Sequence, residues 1–236
     1  EFDLSFFIRN GLNNVKVNTS EYTFAADPVV RTDTAQIVRM RLPVAADAWL
    51  VYEYTLYNEA KPARDYLVDY TVRLVGMTPY MANQSSIGIA WSNTSYQNER
   101  GFKNENTYTT VAYRIPGEGS IDDLSMSEGA KEEKISSSVE WIAFKQQFFS
   151  SVLIAADDFL YADVAYDTAA PDSGLMKAFS ATMAVPYTAQ TERYDFSFYF
   201  GPNKYAVLKK IDDAQGEPLL LDRLIPMGLS LIHISE

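Results

Sequence analysis

The amino-acid sequence predicts an all-β protein, an antiparallel β-sandwich with a short helical part near its C-terminal end. Apolar residues recur at every second position in most long segments, 16 Tyr and 13 Phe enrich the chain in aromatic side chains, and turn-forming residues separate the segments at short intervals. Period-two alternation is typical of strands with one buried face, and aromatic residues fit pleated surfaces. Because no helical pattern lies between these segments, antiparallel pairing is favoured over βαβ units.

The clearest alternation predicts two neighbouring strands joined as a hairpin. The apolar faces of these strands contain Ala48, Leu50, Tyr52, Tyr54 and Leu56 in the first, and Tyr66, Val68, Tyr70, Val72 and Leu74 in the second. The polar residues 58–64, which include a proline, form the predicted loop. Shorter patterns predict further strands at residues 37–42, 87–91, 108–115, 178–187 and 196–200. Residues 117–134, rich in Gly, Ser and acidic residues, predict a long exposed loop or a polar excursion between strands.

Residues 139–154 hold the densest group of apolar and aromatic side chains and show neither period clearly. Trp141, Phe144 and Phe148 fit one face of a helix, whereas Val152 and Ile154 fit a strand. A strand, a tight turn and a second strand explain the segment equally well. Core packing is the simplest role for these side chains, and the functional alternative is a ligand groove with aromatic walls.

A helical part is predicted after the last strand. Pro202 suits a first helical turn, and Tyr205, Leu208 and Ile211 then recur at helical spacing. Residues 215–218 break this helix. Residues 219–227 read as a short amphipathic segment with one shared apolar face, formed by Leu220, Leu221, Leu224 and Ile225.

The composition excludes several classes of site. The chain has no Cys and a single His, His233, so thiol chemistry, a Ser-His-Asp triad inside the fold and a two-histidine metal site are excluded. Acidic pairs such as Asp122-Asp123 fit no calcium-loop spacing. We therefore predict no catalytic, cofactor-binding or metal-binding residues. The formal net charge of −11 argues against nucleic acid as a partner, since that affinity depends on Lys and Arg neutralising phosphates.

Two motifs, at residues 138–149 and at residues 198–204, resemble a known family, the periplasmic domain of the bacterial membrane protein insertase YidC in the Oxa1/Alb3 superfamily. Residues 138–149 carry Trp141, Phe144, Phe148 and Phe149 and resemble the family's signature, which runs from a tryptophan to a Tyr-Phe or Phe-Phe pair. Residues 198–204 resemble its aromatic-x-Gly-Pro-Lys element at the exit of the last strand. The resemblance covers residues 1–228 and is closest to the version of the domain in Bacteroidetes.

The resemblance implies a β-supersandwich similar to galactose mutarotase, without enzymatic activity of its own. The domain would lie on the periplasmic face of the bacterial inner membrane as part of an insertase and chaperone for membrane proteins. The implied partners are the transmembrane insertase core of the same polypeptide, the accessory subunits of the Sec translocon, nascent membrane proteins and the membrane surface. The expected membrane-proximal residues are Phe200, Gly201, Pro202, Leu220, Leu221, Leu224 and Ile225. The signature aromatics Trp141, Phe144, Phe148 and Phe149 are expected to be structural.

The expected organisation has three parts. Residues 1–200 form the sandwich, whose first strands are missing relative to the family; residues 201–228 form the helix and membrane-proximal segment; residues 229–236 depart from the family pattern and are interpreted as an artefactual tail.

Two other functions remain open. A mutarotase-like sugar enzyme needs a positioned acid and base, typically a histidine with a carboxylate, and no histidine lies inside the predicted fold. A secreted carbohydrate- or peptide-binding module would use exposed aromatic faces, whereas most aromatic residues here alternate as core residues.

Overall fold

The computed structural model describes residues 1–58, 63–126, 128–213 and 218–225. The strands of this described part, numbered in chain order, are β1 Phe2–Asn10, β2 Asn13–Asn18, β3 Ala25–Ala26, β4 Val30–Arg31, β5 Ala35–Ala45, β6 Ala48–Tyr57, β7 Leu67–Val75, β8 Ser86–Tyr96, β9 Thr110–Arg114, β10 Asp122–Asp123, β11 Lys131–Ile135, β12 Val139–Lys145, β13 Phe149–Phe159, β14 Ala162–Thr168, β15 Leu175–Pro186 and β16 Arg193–Pro202. The α-helices are α1 Phe102–Tyr108 and α2 Tyr205–Asp213, and short 3₁₀ helices lie at Thr19–Glu21 and Leu221–Leu224.

Two antiparallel sheets face each other. The smaller sheet has the strand order β11-β14-β15-β8-β1-β2, and the larger has the order β10-β9-β12-β13-β16-β7-β6-β5-β3, with β4 also paired to β5. The predicted all-β antiparallel sandwich is therefore confirmed. Within the described ranges, no helix is long and apolar enough to cross a membrane.

Aromatic side chains dominate the core between the two sheets. The rings of Trp91 on β8 and Phe144 on β12 stack with centroids 3.9 Å apart, and Phe179 on β15 stacks 5.1 Å from Phe144. All three side chains are buried. Since a well-placed aromatic pair contributes about 0.5–1.5 kcal/mol beyond its buried area, this stack joins the two sheets strongly.

The predicted hairpin is confirmed, and its alternation gives the correct buried face. Tyr54 on β6 pairs with Tyr70 on β7, and Tyr70, Val72 and Leu74 are buried in the core. Tyr66 lies outside β7, in a left-handed conformation with φ 66°, and its side chain is half-exposed. The centre of the predicted loop, residues 59–62, lies outside the described residues.

The helical reading of residues 139–154 is wrong, and the strand–turn–strand reading is correct. β12 and β13 pair directly with each other, so Trp141 and Phe144 lie on opposite faces of β12 and Phe148 lies in the connection. Trp141 and Ile142 are both fully buried. Because both faces of β12 are covered, its residues form a continuous apolar run instead of alternating.

Candidate functional site

The outer face of the larger sheet carries a second apolar cluster, formed with the C-terminal helices. Trp141 on β12 and Tyr199 on β16 contribute from the sheet, and α2 contributes Leu208 and Ile211. The 3₁₀ helix that follows adds Leu221 and Leu224, both with no exposed surface. Full burial of side chains of this size stabilises by about 1.5–3 kcal/mol each. The C-terminal segment, residues 218–225, is therefore packed against the sheet as part of the folded domain.

Two side chains of the sandwich, Trp141 and Arg114, donate hydrogen bonds to backbone carbonyl groups of the C-terminal segment. The indole Nε1 of Trp141 donates to the carbonyl oxygen of Leu219 at 2.8 Å. Arg114, buried and paired with Glu140, donates from Nη1 to the carbonyl oxygen of Pro218 at 2.7 Å. The bond to Leu219 satisfies the carbonyl group of a buried residue, which would otherwise cost about 1–3 kcal/mol.

Asp212, near the end of α2, caps the 3₁₀ helix. Its two carboxylate oxygens accept from the backbone N–H groups of Leu221 and Asp222, each at 3.1 Å. Burial raises the pKa of Asp212, and these two N–H groups act in the opposite direction. Leu220, between the residues held by Trp141 and Asp212, has φ 57°, a left-handed conformation that costs energy for a residue with a Cβ. The bonds on either side hold it there.

Position 201 on β16 accepts only a glycine, because the ring of Tyr199, two positions earlier, lies over it. A Cβ at Gly201 would lie 2.5 Å from Cζ of Tyr199 and 2.8 Å from Cβ of Tyr66. The hydroxyl of Tyr199 then donates to the carbonyl oxygen of Pro202 at 2.7 Å. The ring of Tyr199 therefore crosses the glycine, an arrangement in which an aromatic side chain covers a glycine of a strand.

Asn203 joins the two motifs that resemble the family. Its backbone N–H donates to the carbonyl oxygen of Phe148, and its Nδ2 donates to that of Gln146, both at 2.7 Å. Its Oδ1 accepts from the hydroxyl of Ser150 at 2.7 Å. Asn203 thus fixes the turn between β12 and β13 against the end of β16.

Five exposed aromatic side chains surround these strand ends, and we name them the aromatic rim: Tyr66, Phe148, Phe149, Phe200 and Tyr205. Each is between 44% and 59% exposed. Phe149 pairs with Pro202 across β13 and β16, and the backbone N–H of Phe200 donates to the carbonyl oxygen of Tyr66 at 2.9 Å. Exposed aromatic side chains grouped at one end of a sheet are candidates for an interaction site.

The structure distributes the predicted site residues differently from the sequence prediction. Phe200 is exposed in the rim, Gly201 is buried, and Pro202 is half-buried. In the described part of the predicted amphipathic segment, residues 219–225, Leu221 and Leu224 are buried and Ile225 packs against the same cluster, so protein covers these side chains, while Leu220 is half-buried. Residues 226–236, which include the predicted tail and His233, lie outside the described residues.

The signature aromatics divide into two groups. Trp141 and Phe144 are fully buried, whereas Phe148 and Phe149 are exposed. Sequence reasoning missed Arg114, Asp212 and Tyr66. The one available signal was Trp141 itself, because a buried indole N–H needs an acceptor. In the described ranges no three acidic or histidine side chains are grouped as metal ligands would be.

Fold and site together define an all-β sandwich domain whose C-terminal segment is fixed to the outer face of one sheet beside an exposed aromatic rim. Residues 3–229 match the family model described as the YidC periplasmic domain. The chain belongs to this family of periplasmic domains.

Similar proteins agree with this assignment. The membrane protein insertase YidC of Bacteroides fragilis is 34% identical over 219 residues, which cover 92% of this chain and 34% of that protein. The YidC of Parabacteroides distasonis is 33% identical over 237 residues, covering 99% of this chain and 36% of that protein. The chain thus spans about a third of the length of the curated relatives it matches.

A solved structure also aligns, at a level that supports no inference. It is that of a heparan sulfate lyase HepC mutant from Pedobacter heparinus, with TM-score 0.35 and 8% identity over 76% of this chain and 22% of that chain.

Proposed function

We propose that this chain is the periplasmic part of an inner-membrane protein insertase, and that it assists the insertion and folding of membrane proteins with or without the Sec translocon. The observation that carries the proposal is the family match over residues 3–229, together with relatives named as insertases. The partners proposed are the transmembrane core of the same polypeptide, accessory Sec subunits and nascent membrane proteins. The domain itself acts without a cofactor and without catalysis. The alternative, a secreted carbohydrate- or peptide-binding module, is not favoured by these relatives.

The aromatic rim is the proposed contact with the membrane surface. Aromatic side chains are enriched where proteins meet the interfacial layer of a bilayer, and nearby lysines are attracted to anionic headgroups. Lys204, immediately before α2, and Lys210, within α2, are exposed beside the rim. In this proposal Leu221 and Leu224 act from inside the domain, where they hold the C-terminal segment in one orientation relative to the sandwich.

The test uses the full-length parent protein and a double change in the rim, Phe149→Ser with Phe200→Ser. Both side chains are more than half exposed, so folding is expected to be little affected. We expect slower insertion of a test membrane protein in cells depleted of the endogenous insertase. We also expect weaker quenching, by brominated lipids, of a fluorophore attached near residue 203.

The matched control is Leu160→Ser with Tyr161→Ser. These side chains are 42% and 43% exposed and lie at the opposite end of β13. This variant should insert the test protein at the parental rate. The membrane contact is refuted when the rim variant keeps parental quenching, and the insertase role is refuted when the parent protein fails to support insertion at all.

A further inference from the structure

A pocket lies at the end of the sandwich where β8 begins and β15 ends. Its volume is about 610 Å³, within the range of about 300–1,000 Å³ that is usual for sites that hold small molecules. Three segments line it: the end of β1, the connection from β7 to β8, and the connection from β15 to β16. We name it the polar pocket and define it by Arg9, Thr78, residues 81–85 and residues 187–189.

Arg9 is the one charged side chain among the described residues that line this pocket. Its guanidinium forms no ion pair within the described part of the chain. The arginines on the outer face of the larger sheet differ, because Arg73 is paired with Glu53 and Arg193 with Asp195. In a chain whose formal net charge is −11, a pocket that holds a cation and no carboxylate is complementary to an anionic group.

A second cation reinforces the positive charge at this end of the hairpin between β1 and β2. The cross-strand partner of Arg9 is Asn14, and Lys16 lies two residues further along β2 on the same face. Diagonal neighbours of this kind are about 7–8 Å apart. Lys16 is exposed and also lacks an ion pair within the described ranges. The acidic residue on this face of β1 is Asp3, six residues from Arg9 or about 20 Å along the strand.

Two polar side chains of the pocket build its frame. The amide of Gln84 accepts from the backbone N–H of Phe7 at 2.9 Å and donates to the carbonyl oxygen of the same residue at 3.0 Å. The hydroxyl of Thr78 donates to the carbonyl oxygen of Ala189 at 3.2 Å. These bonds join the three lining segments, so the pocket is formed before any ligand binds.

Four other polar side chains of the lining have no hydrogen-bond partner among the described residues: Arg9, Asn83, Ser85 and Tyr187. Tyr187 is only 7% exposed, and the hydroxyls of buried tyrosines usually find a partner. Burial raises the pKa of Tyr187, and the charge of Arg9 acts in the opposite direction, so the guanidinium and this hydroxyl lie close together. One cation and three neutral polar groups are thus available to a ligand.

The backbone groups around the pocket are already paired with each other. The N–H of Arg9 donates to the carbonyl oxygen of Tyr80 at 2.7 Å, and that of Tyr187 donates to the carbonyl oxygen of Ser85 at 2.9 Å. Extended peptides usually bind by adding main-chain hydrogen bonds to a free strand edge. Recognition here is left to side chains, which favours a small molecule over a polypeptide.

The polar pocket lies at the opposite end of the sandwich from the aromatic rim. The hydroxyl of Tyr194 on β16 donates to the carbonyl oxygen of Pro186, the residue before Tyr187, at 2.9 Å. From Tyr194 to Phe200 of the rim, β16 runs for six residues, or about 20 Å. A bilayer in contact with the rim is beyond the reach of this pocket. This step rests on the proposed contact of the rim, and it favours a soluble anion over a lipid headgroup.

We propose that the polar pocket binds a small soluble organic anion with a hydroxyl-bearing body. A carboxylate or phosphate group of the ligand pairs with Arg9, since a guanidinium binds either group through two parallel hydrogen bonds. Hydroxyl groups of the ligand contact Asn83, Ser85 and Tyr187, whose amide and hydroxyls both donate and accept. This site goes beyond the proposed function, and its binding is measured without any insertion reaction.

The experiment measures binding to the 236-residue chain by NMR titration, with the backbone amides of residues 81–85 and 187–189 as reporters. Glucuronate and glucose 6-phosphate carry a carboxylate or a phosphate on a hydroxylated body, glucose lacks the charge, and hexanoate keeps the carboxylate without the hydroxyls. We expect at least one acidic sugar to bind about tenfold or more tightly than glucose, which is the effect of one charge-assisted hydrogen bond. Glucuronate should also bind more tightly than hexanoate. The tighter of the two acidic sugars identifies the anionic group.

Variants locate the site. Arg9→Gln should bring the affinity for the acidic sugars close to that for glucose, and Arg9→Lys should lie between, because lysine keeps the charge and loses the planar fork. Asn83→Ala should weaken glucuronate and leave hexanoate unchanged, since hexanoate has no hydroxyl for the amide. The matched control is Arg31→Gln, which removes an exposed arginine of β4 outside the pocket and should bind as the parent does. Circular dichroism checks that each variant is folded.

The proposal is overturned when neither acidic sugar binds more tightly than glucose, when hexanoate binds as tightly as glucuronate, or when Arg9→Gln retains parental affinity. Tighter binding of the acetylated and amidated peptide Ser-Glu-Ser than of glucuronate would identify a polypeptide instead. Vesicles of phosphatidylglycerol and phosphatidylethanolamine that bind the parent and the rim variant but not Arg9→Gln would identify a lipid headgroup. Each of these results leaves the insertion assay of the parent protein as an independent test of the proposed function.

Discussion

The indole nitrogen of Trp141 donates a hydrogen bond of 2.8 Å to the carbonyl oxygen of Leu219, a residue 78 positions later in the chain. Trp141 lies on β12 of the larger sheet, and Leu219 lies in the C-terminal segment that packs against the outer face of that sheet. Because Trp141 is fully buried and Leu219 nearly so, water cannot replace this bond. It therefore couples the position of the C-terminal segment to the sheet.

Trp141→Phe should release this segment. The carbonyl oxygen of Leu219 loses its donor at a cost of about 1–3 kcal/mol, and the smaller ring adds a packing loss. Hydrogen exchange should accelerate at the amides of Leu221 and Asp222, which depend on Asp212. Trp91→Phe, a change in the inter-sheet stack, is the control: it should lower stability without accelerating exchange at these amides. Equal exchange in the two variants would contradict the coupling.

Gly201→Ala should destabilise the domain by about 1–3 kcal/mol, the usual cost of an added methyl in a packed site. The new Cβ would lie 2.5 Å from Cζ of Tyr199, so the ring must move and its hydrogen bond to Pro202 is lost. Thermal denaturation measures the effect. Gly119→Ala, where nothing lies within 4 Å of the added Cβ, should be close to neutral. In a Tyr199→Ala background the Gly201 change should cost clearly less, and additive effects would show that the ring is not the cause.

We expect both Asn203→Ala and Asn203→Asp to lower the stability of the domain. Asn203→Ala leaves the carbonyl oxygen of Gln146 and the hydroxyl of Ser150 without their partner, a loss of about 1–3 kcal/mol. Asn203→Asp keeps the acceptor for Ser150 but turns a second oxygen towards the carbonyl of Gln146, so it should be at least as harmful. Urea denaturation compares both with Asn14→Asp on the exposed strand β2, which should be neutral. An Asn203→Asp variant as stable as the parent would show that these hydrogen bonds do not fix the turn between β12 and β13.

Alternation was sufficient to predict β6 and β7 because the core-facing positions are apolar, such as Leu50 and Val72, while polar side chains such as Glu53 recur on the other face. It failed at β12, where Trp141 packs under the C-terminal helices and Phe144 packs between the sheets, so burial on both sides removes the alternation. In residues 219–227 the apolar residues were identified correctly, but Leu221 and Leu224 are covered by protein. An amphipathic pattern predicts which face of a segment is apolar. It does not predict whether that face packs against protein or against a membrane.

The pairing of Arg73 with Arg193 was not predictable from local patterns. Arg73 and Arg193 are 120 positions apart and become neighbours only because β7 pairs with β16 in one register. Nothing in the spacing of either residue indicates that pairing. The two family motifs illustrate the same point, since their resemblance indicated a shared family but not that Asn203 of one binds the turn of the other.

Lys177 should make the stability of the domain depend on pH in the alkaline range. It is fully buried, its Nζ lies 2.6 Å from the carbonyl oxygen of Thr109 and 3.7 Å from the ring centroid of Tyr166, and burial lowers its pKa from 10.5 to about 8. Between these two values the unfolded chain holds a proton here that the folded chain has lost. The stability contributed at this site therefore rises with pH across that window, by up to ~3 kcal/mol.

The measurement compares the free energy of unfolding of the parent with that of Lys177→Met at several pH values from 7 to 11. Buried tyrosines act in the opposite direction, because burial raises the pKa of Tyr70 and Tyr199 and ionisation in the unfolded chain then favours unfolding above pH of about 10. Both proteins share that effect, so it cancels in the difference. Relative to Lys177→Met, the parent should gain stability as the pH rises from about 8 to 10.5. Parallel curves would show that Lys177 keeps its ordinary pKa in the folded domain.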